Sequence, residues 1–208
     1  MSGFLIAHAG MRQEFGLLAR AAAQPLDPDR AALVEDQIAM VLEVLHHHHT
    51  AEDDTIWPML VARVPSAAAD LDALEADHAE LDPLITAAGD TGRPLAERAP
   101  VLAELHERIN AHLDREEATA VPLMRVWITP SEWEALTQRA IAETGRRRIP
   151  TVYSWYASTA SDELRAEAVA TVPGMVRVLL RLFWWPAYQR RARRLYGSDA
   201  PATIGRRL

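Results

Sequence analysis

Apolar residues recur every three or four positions through the first two thirds of the chain, which is the period of an amphipathic α-helix. The first such stripe includes Phe4, Met11 and Phe15. Segments rich in Pro and Gly then interrupt the pattern, namely QPLDPD, VPS and AAGDTGRP. The pattern predicts four helices, over residues 4–23, 29–64, 66–86 and 95–125.

Four helices joined by short turns favour an up-down-up-down four-helix bundle. We therefore predict an all-α protein whose bundle occupies residues 1–128. Asp29 stands where it would cap the second helix, and either Ser66 or Asp70 would start the third.

A different pattern begins at Pro130. TPSEWEALTQRAIAET predicts a short helix with Ser131 and Glu134 as a capping box, and GRRRIP predicts a basic linker. SDELRAEAVATVP predicts another short helix, and GMVRVLLRLFWWPAYQRRARRLYG an amphipathic basic helix. Residues 129–208 are thus predicted to form a C-terminal helical extension. The side chains expected to pack it on the bundle are Val176, Leu179, Leu180, Phe183 and Trp184.

Charge is divided unevenly between these two regions. Residues 1–128 contain 9 Arg and 22 acidic residues, a net of −13, whereas residues 129–208 contain 13 Arg and 7 acidic residues, a net of +6. The basic segment around Arg190, Arg191, Arg193 and Arg194 could contact nucleic acid or an anionic membrane. Pairing with the acidic bundle is the favoured interpretation, so no nucleic-acid partner is expected.

The absence of cysteine narrows the chemistry of the protein. It excludes disulfides, thiolate catalysis, iron–sulfur clusters and cysteine-type zinc sites. The sequence shows no leader of signal-peptide type and no transmembrane segment, since a spanning helix needs about 18 uninterrupted apolar residues. The expectation from sequence is a cytoplasmic protein, with its oligomeric state left open.

The candidate chemistry lies in a repeat within the bundle. HHTAEDDTIWPML at residues 48–60 and HLDREEATAVPLM at residues 112–124 share the pattern His-x-x-x-Glu-acid followed by Pro. Residues four apart lie on the same face of a helix. His48 with Glu52, and His112 with Glu116, can therefore each reach one metal ion, or two neighbouring ions.

The first and third helices each add one histidine on an apolar face, His8 and His78. A lone histidine there is usually a satisfied core residue, and a lone His-x-x-x-Glu pair is usually a surface contact. Six such groups matched across two halves are different, because burying them unpaired would cost several kcal/mol per charged group. Imidazole and carboxylate without thiolate indicate iron, manganese or zinc.

These motifs resemble the hemerythrin-like (HHE cation-binding) domain family over residues 3–128. The motifs that carry the resemblance are His8 in HAGMR, His48-x3-Glu52 before Trp-Pro, His78 in DH, and His112-x3-Glu116 before Pro122. The resemblance implies a non-haem centre of two iron ions, carboxylate- and oxo-bridged, inside a four-helix bundle. Glu52 and Glu116 would then bridge the ions, and the four histidines would be terminal ligands.

The chain departs from the oxygen-carrying hemerythrins on the third helix. Those proteins have a His-x-x-x-His pair there, whereas Leu74 precedes His78 by four residues in this chain. His49, or water, would fill the vacant ligand position. The acids expected to orient ligand imidazoles through their second ring nitrogen are Asp53, Asp77 and Glu117.

The leading functional hypothesis is a di-iron protein that binds O2 or a related small oxidant such as peroxide or nitric oxide, for sensing, storage or detoxification. An enzyme that decomposes peroxide, in the manner of a catalase, is the first alternative, and it ranks lower because no catalytic acid or base beyond the ligands is visible. A metal-dependent regulatory or interaction module is the second alternative.

Overall fold

A computed structural model describes residues 1–206 of the chain, apart from the side chains of residues 167–171. Within this part every regular element is helical, which confirms the all-α prediction. The bundle segments are α1 (Ser2–Ala22), α2 (Pro28–Ala51) continued by α3 (Trp57–Arg63), α4 (Ala68–Gly89) and α5 (Leu95–Trp127). α1 and α4 each pack on both α2 and α5, and short connections make consecutive segments antiparallel.

The core of the bundle has two apolar parts. The larger is built around Phe15, Ile38 and Leu102, and the smaller around Trp57 and Met124. α4, α5 and the second segment (α2 with α3) contribute buried residues to both parts, and α1 adds only the partly buried Phe4 to the smaller one. All four segments carry buried polar residues between the two parts. The bundle therefore contains a buried polar layer across its width, closed on both sides by apolar side chains.

The second helix is interrupted by a π-turn, which the sequence analysis did not predict. Residues Glu52–Ile56 form this turn, and the Trp57 N–H donates to the Glu52 carbonyl five residues back. Pro58 follows directly in α3. A proline ring clashes with the carbonyl four residues earlier in a regular α-helix, and a widened turn relieves that clash.

The predicted cap of the second helix is wrong by two positions. Asp27, not Asp29, is the N-cap, and its carboxylate accepts a hydrogen bond of 2.8 Å from the Arg30 N–H. Pro28 occupies the first helical position, where a missing N–H costs nothing. The proline therefore sets the cap one residue before itself. The third helix also starts differently, because a 3-10 turn at Pro65–Ala67 precedes α4.

The same rule corrects the predicted capping box of the next helix, α6 (Pro130–Glu143). The box consists of Thr129 and Glu132 rather than Ser131 and Glu134. Glu132 accepts from the Thr129 N–H at 2.9 Å. Here too a proline at the first helical position places the cap immediately before it.

The extension contains one helix that the sequence analysis missed. Its elements after α6 are α7 (Ile149–Thr159), α8 (Asp162–Thr171), α9 (Gly174–Leu179), a second π-turn (Leu180–Trp184) and α10 (Trp185–Tyr196). α7 is rich in aromatic and β-branched residues, which weaken a helical signal. Its Trp155 is fully buried against Gly10 of α1, so tertiary packing stabilises it. Residues 207–208 of the predicted extension lie outside the described residues.

Four helices of the extension pack on the first two bundle segments: α7, α8 and α10 contact α1, and α6 and α10 contact α2. The predicted packing of Phe183 is wrong, since that side chain is 62% exposed, whereas Leu180 is buried. Val176, Leu179 and Trp184 are partly buried. The π-turn shifts the inward face, which continues through Trp185 and Tyr188.

Arginines of the extension pair with acids of α2. Arg191 lies 2.8 Å from Asp36, and Arg194 lies 2.8 Å from Asp29. These contacts correspond to the pairing with the acidic bundle that the charge distribution favoured. None of the helices in the described part of the chain combines the length and apolarity needed to cross a membrane.

One carboxylate is buried where the extension meets the bundle. Glu14 of α1 is 1% exposed and accepts hydrogen bonds from Gln37 Nε2 (2.6 Å), Trp155 Nε1 (3.0 Å) and the Tyr196 hydroxyl. The donors belong to α2, α7 and α10, so this single side chain links four helices. Burial raises the pKa of Glu14 from its ordinary value of 4.5.

Candidate metal centre

The six residues predicted as metal ligands lie together in the polar layer of the bundle. α1 contributes His8, α2 with the π-turn contributes His48 and Glu52, α4 contributes His78, and α5 contributes His112 and Glu116. All six side chains are buried, none more than 8% exposed. The four-residue spacing within each His-x-x-x-Glu pair keeps both side chains on the inward face of the helix.

Together with His49, these six residues place their donor atoms in two adjoining groups, and the atoms of each group lie within 4.8 Å of one another. The first group is His8, His48, Glu52 and Glu116, and the second is His49, His78 and His112. Two nitrogen pairs are close: the Nε2 atoms of His8 and His48 are 3.0 Å apart, and those of His78 and His112 are 3.2 Å apart.

Each glutamate stands between a histidine of one group and a histidine of the other. Glu52 Oε1 lies 3.1 Å from His48 Nε2, and its Oε2 lies 3.6 Å from His78 Nε2. Glu116 Oε2 lies 3.5 Å from His8 Nε2 and 3.6 Å from His112 Nε2. Carboxylates so placed are positioned to contact two cations, one in each group.

Three acids lie against the outward ring nitrogens of these histidines. The Nδ1 distances are 2.9 Å for His8 to Glu117, 2.8 Å for His78 to Asp53, and 3.4 Å for His112 to Asp77. They are the three acids that the sequence analysis singled out. A carboxylate at Nδ1 holds the proton there, so the lone pair of a neutral ring is on Nε2.

This arrangement leaves two lone pairs facing each other. His78 and His112 both have an acid at Nδ1, so their Nε2 atoms, 3.2 Å apart, both present lone pairs to the same space. Such a contact is repulsive unless a proton or a cation lies between the nitrogens. A spacing of about 3 Å also suits two nitrogen ligands at about 2.1 Å from one ion.

The carboxylates of the layer lack partners as well. Among the described residues, no hydrogen bond reaches either oxygen of Glu52 or of Glu116, and all four oxygens are buried. Burial raises the pKa of Glu52 well above its usual range, with Glu116 adding to the shift, and burial also raises the pKa of Glu116. Buried unpaired carboxylates are costly, and a bound cation removes that cost.

Burial acts on the histidines in the opposite direction. It lowers the pKa of His48 and of His49 well below 6.5, and it lowers the pKa of His78 and of His112 to about 4. The neutral imidazole is the form that ligates metal ions. The donor set of neutral nitrogens and carboxylate oxygens therefore fits a divalent or trivalent cation of iron, manganese or zinc type.

Arginines hold two of the outer acids in place. Arg12 donates to Glu117 at 3.2 Å, and Arg115 lies 2.6 Å from Asp77. The hydrogen bond with His8 lowers the pKa of Glu117, so this acid stays ionised. Asp53 differs, because burial, followed by repulsion from Asp54, raises its pKa to about 6.

His49 lies closer to the centre of the layer than its position in the histidine run suggests. It is 7% exposed, its ring stacks on that of His78 with centroids 3.8 Å apart, and its Nε2 is buried without a hydrogen-bond partner. Leu74, at the place of the missing histidine, is part of the smaller apolar core. Of the neighbouring histidines, His46 is exposed.

Two aromatic residues that the sequence analysis did not assign to the site close one end of it. The Phe4 ring lies 4.4 Å from that of His8 and 4.8 Å from that of His48, and Trp133 of α6 packs against it at 6.1 Å. Phe4 precedes His8 by four residues, so helical spacing could have identified it. Nothing in the sequence around Trp133 indicates this long-range contact.

A family model matches more than half of the chain. The model for the hemerythrin HHE cation binding domain matches residues 4–124. The matched stretch contains every candidate ligand and ends within α5, before the extension. No significant match was found among curated proteins or among solved structures.

Proposed function

Because the chain belongs to the hemerythrin HHE cation-binding family, we propose that its buried His/Glu layer holds two non-haem iron ions and binds O2 or a related small oxidant. Family membership and the His/Glu cluster indicate cation binding. Iron as the metal, two ions per chain, and the oxidant as ligand are our proposal.

The observation that carries the proposal is the pair of opposed lone pairs beside unpartnered carboxylates. His78 and His112 present Nε2 to one point, and neither Glu52 nor Glu116 accepts a hydrogen bond from any described residue. Two donor groups joined by two carboxylates support two ions rather than one. When bound, a pair of iron ions would supply an open coordination position and the electrons that reversible O2 binding requires.

The protein would hold the ions through seven side chains. His8 and His48 would serve one ion, His78, His112 and His49 the other, and Glu52 and Glu116 would bridge them. Asp53, Asp77 and Glu117 would keep the imidazoles oriented through Nδ1, which raises their basicity as ligands. The larger apolar core on one side, together with Phe4 on the other, would exclude bulk water.

The burial of the candidate metal-binding side chains favours a small bound molecule. All candidate ligands are buried, and Phe4 packs over His8 and His48. O2, nitric oxide and hydrogen peroxide are small enough to reach such a centre through side-chain fluctuations, whereas an organic substrate would require the bundle to open.

Metal analysis of protein purified without added metal tests the proposal. We expect two irons per chain and, in air, the near-ultraviolet absorption of an oxo-bridged iron pair that changes on exposure to O2-free reductant. One zinc per chain without such absorption would contradict it. Rapid O2 release from added hydrogen peroxide would instead assign the centre to peroxide decomposition.

A further inference from the structure

The helix that leads into α10 exposes an unusual number of large apolar side chains. Met175 is 78% exposed, Val178 54%, Leu182 60% and Phe183 62%. Together they form what we call the α9 face. Met175 and Val178 belong to α9, and Leu182 and Phe183 to the π-turn that continues it. Scattered exposed apolar residues are ordinary, but a set gathered on one continuous helical segment marks an interaction surface.

The spacing of these residues places them on one side of the helix. Met175, Val178 and Leu182 follow an i, i+3, i+7 pattern, which is the stripe of an amphipathic helix. Leu180 and Trp185, both 3% exposed, hold the opposite side against the rest of the protein. The α9 face therefore points away from the molecule while its helix stays anchored.

The sequence around this face carries positive charge and no acid. Residues 168–198 contain six arginines and no Asp or Glu. Arg191 and Arg194 pair with acids of α2. The other four are exposed and have no ion pair with any described residue: Arg177, Arg181, Arg190 and Arg193. Arg177 and Arg181, four residues apart, form a row beside the α9 face.

From these observations we infer that the α9 face docks on an anionic lipid bilayer. The exposed apolar side chains would enter the boundary between headgroups and acyl chains, and Arg177 and Arg181 would extend to lipid phosphates. The bundle, with its net charge of −13 over residues 1–128, would be repelled from the surface and face the aqueous phase. This orientation does not depend on the metal centre.

Charge and shape argue against two other occupants. A second copy docked through the same face would bring the unpaired arginines of both copies together without acids between them. A nucleic acid would satisfy the arginines but would leave Met175, Val178 and Leu182 without apolar partners. A bilayer satisfies both the charges and the apolar side chains.

Flotation of the full-length protein with lipid vesicles tests the inference. We expect binding to vesicles of phosphatidylcholine mixed with phosphatidylserine, weaker binding as salt is raised, and little binding to phosphatidylcholine alone. Leu182→Gln should lower the fraction bound by about tenfold. Arg177→Gln and Arg181→Gln should each lower it by about fivefold, on the mixed vesicles only.

Val126→Gln is the matched control, because Val126 is an apolar residue, 73% exposed, on α5 rather than on the α9 face. Its binding should equal that of the unmodified protein. Failure of the unmodified protein to float with the mixed vesicles would overturn the inference. So would a dimer that Leu182→Gln dissociates, or a DNA complex whose affinity depends on Arg177 and Arg181, in the absence of vesicle binding.

Discussion

The role of His49 in the polar layer can be tested directly by substitution. Its Nε2 is buried, unpartnered and grouped with the donor atoms of His78 and His112. We predict that His49→Gln lowers the affinity of that group for its ion by at least about tenfold. Calorimetric titration with ferrous iron under anaerobic conditions measures this. His46→Gln, at an exposed position of the same run, is the control.

If His49→Gln binds both ions as tightly as the unmodified protein, water rather than His49 completes the second group. The remaining ligand proposal would stand in that case, because it depends on the other six side chains. If the control lowers the affinity equally, the effect comes from the histidine run as a whole.

The hydrogen bonds of the buried Glu14, which is not among the candidate ligands, offer a second test. Tyr196→Phe removes the hydroxyl that donates to Glu14 and leaves a buried carboxylate with one partner fewer. We predict a loss of about 1.5 to 3 kcal/mol in the free energy of unfolding. Chemical denaturation measures it. Tyr153→Phe, at a partly exposed position in α7, should change stability little.

Glu14 also makes stability depend on pH. Burial raises its pKa above 4.5, so the folded state holds this proton at pH values where the unfolded chain has lost it. The free energy of unfolding therefore falls as pH rises from about 4.5 to the raised pKa. The groups that face Glu14 are Gln37 of α2, Trp155 of α7, and Tyr188, Arg191 and Tyr196 of α10.

We predict that this fall disappears in Glu14→Gln, which has no proton to lose. The measurement is denaturation of both proteins across the range, and the quantity of interest is the difference between them. Other buried carboxylates, such as Glu52, are common to both proteins and cancel in this difference. A constant difference across the range would show that Glu14 does not titrate there.

Among the helices, the contact of α1 with α7 is unusually close. A Cβ added at Gly10 would lie 2.6 Å from Cζ2 of the Trp155 ring. We predict that Gly10→Ala destabilises the protein by about 1 to 3 kcal/mol, because a fully buried indole must move. Gly3→Ala, on the same helix with nothing within 4 Å, should instead stabilise it by several tenths of a kcal/mol or more.

Equal effects of Gly10→Ala and Gly3→Ala would mean that α7 can shift away from α1 without lowering the free energy of unfolding. That result would separate α7 from the bundle energetically, and it would also weaken the case for a tight link through Glu14. Thermal and chemical unfolding of both variants provide the comparison.

Two elements show what the helical pattern does not encode. Both π-turns end one residue before a Trp-Pro pair, at Trp57-Pro58 and at Trp185-Pro186. Pro83 and Pro122 lie inside α4 and α5 without such a turn. Proline therefore permits the wider turn but does not dictate it, and apolar periodicity alone predicts one unbroken helix through each site.

For the molecule as a whole, metal should contribute stability through binding to the folded state alone. The apoprotein keeps unpartnered carboxylates and opposed imidazoles in its core. We predict that chelation lowers Tm by about 5 to 10 °C, as binding at a hundredfold excess over Kd gives for a protein of this size. Scanning calorimetry with and without chelator measures the shift.

The double variant that lacks both glutamates, Glu52→Ala with Glu116→Ala, is the control for effects of the chelator itself. The Tm of this double variant should respond much less to chelation, because the ions lose their carboxylate ligands and keep only the histidines of the two groups. A shift of the same size in this variant would place the stabilising metal elsewhere in the protein.

The all-α bundle could be predicted from sequence because its periodicity is long and regular. Four of the six predicted donors followed from the 64-residue repeat, since residues four apart share a face, and His8 and His78 followed from their positions on apolar helix faces. The proximity of His49 to His78 did not follow, because it depends on how the helices are rotated against each other. Phe183 was misplaced for a similar reason, namely the π-turn that rotates the helix.

The π-turn at Glu52–Ile56 sets the phase between the two ends of the second helix. A π-turn contains one residue more than an α-helical turn. Deletion of a single residue there would therefore leave a continuous α-helix. A deletion on the N-terminal side of Asp53, which stands 2.8 Å from His78, would nonetheless rotate that side chain by about 100° relative to His48 on α2. The helix would remain intact after such a deletion, but Asp53 would no longer reach the Nδ1 atom of His78.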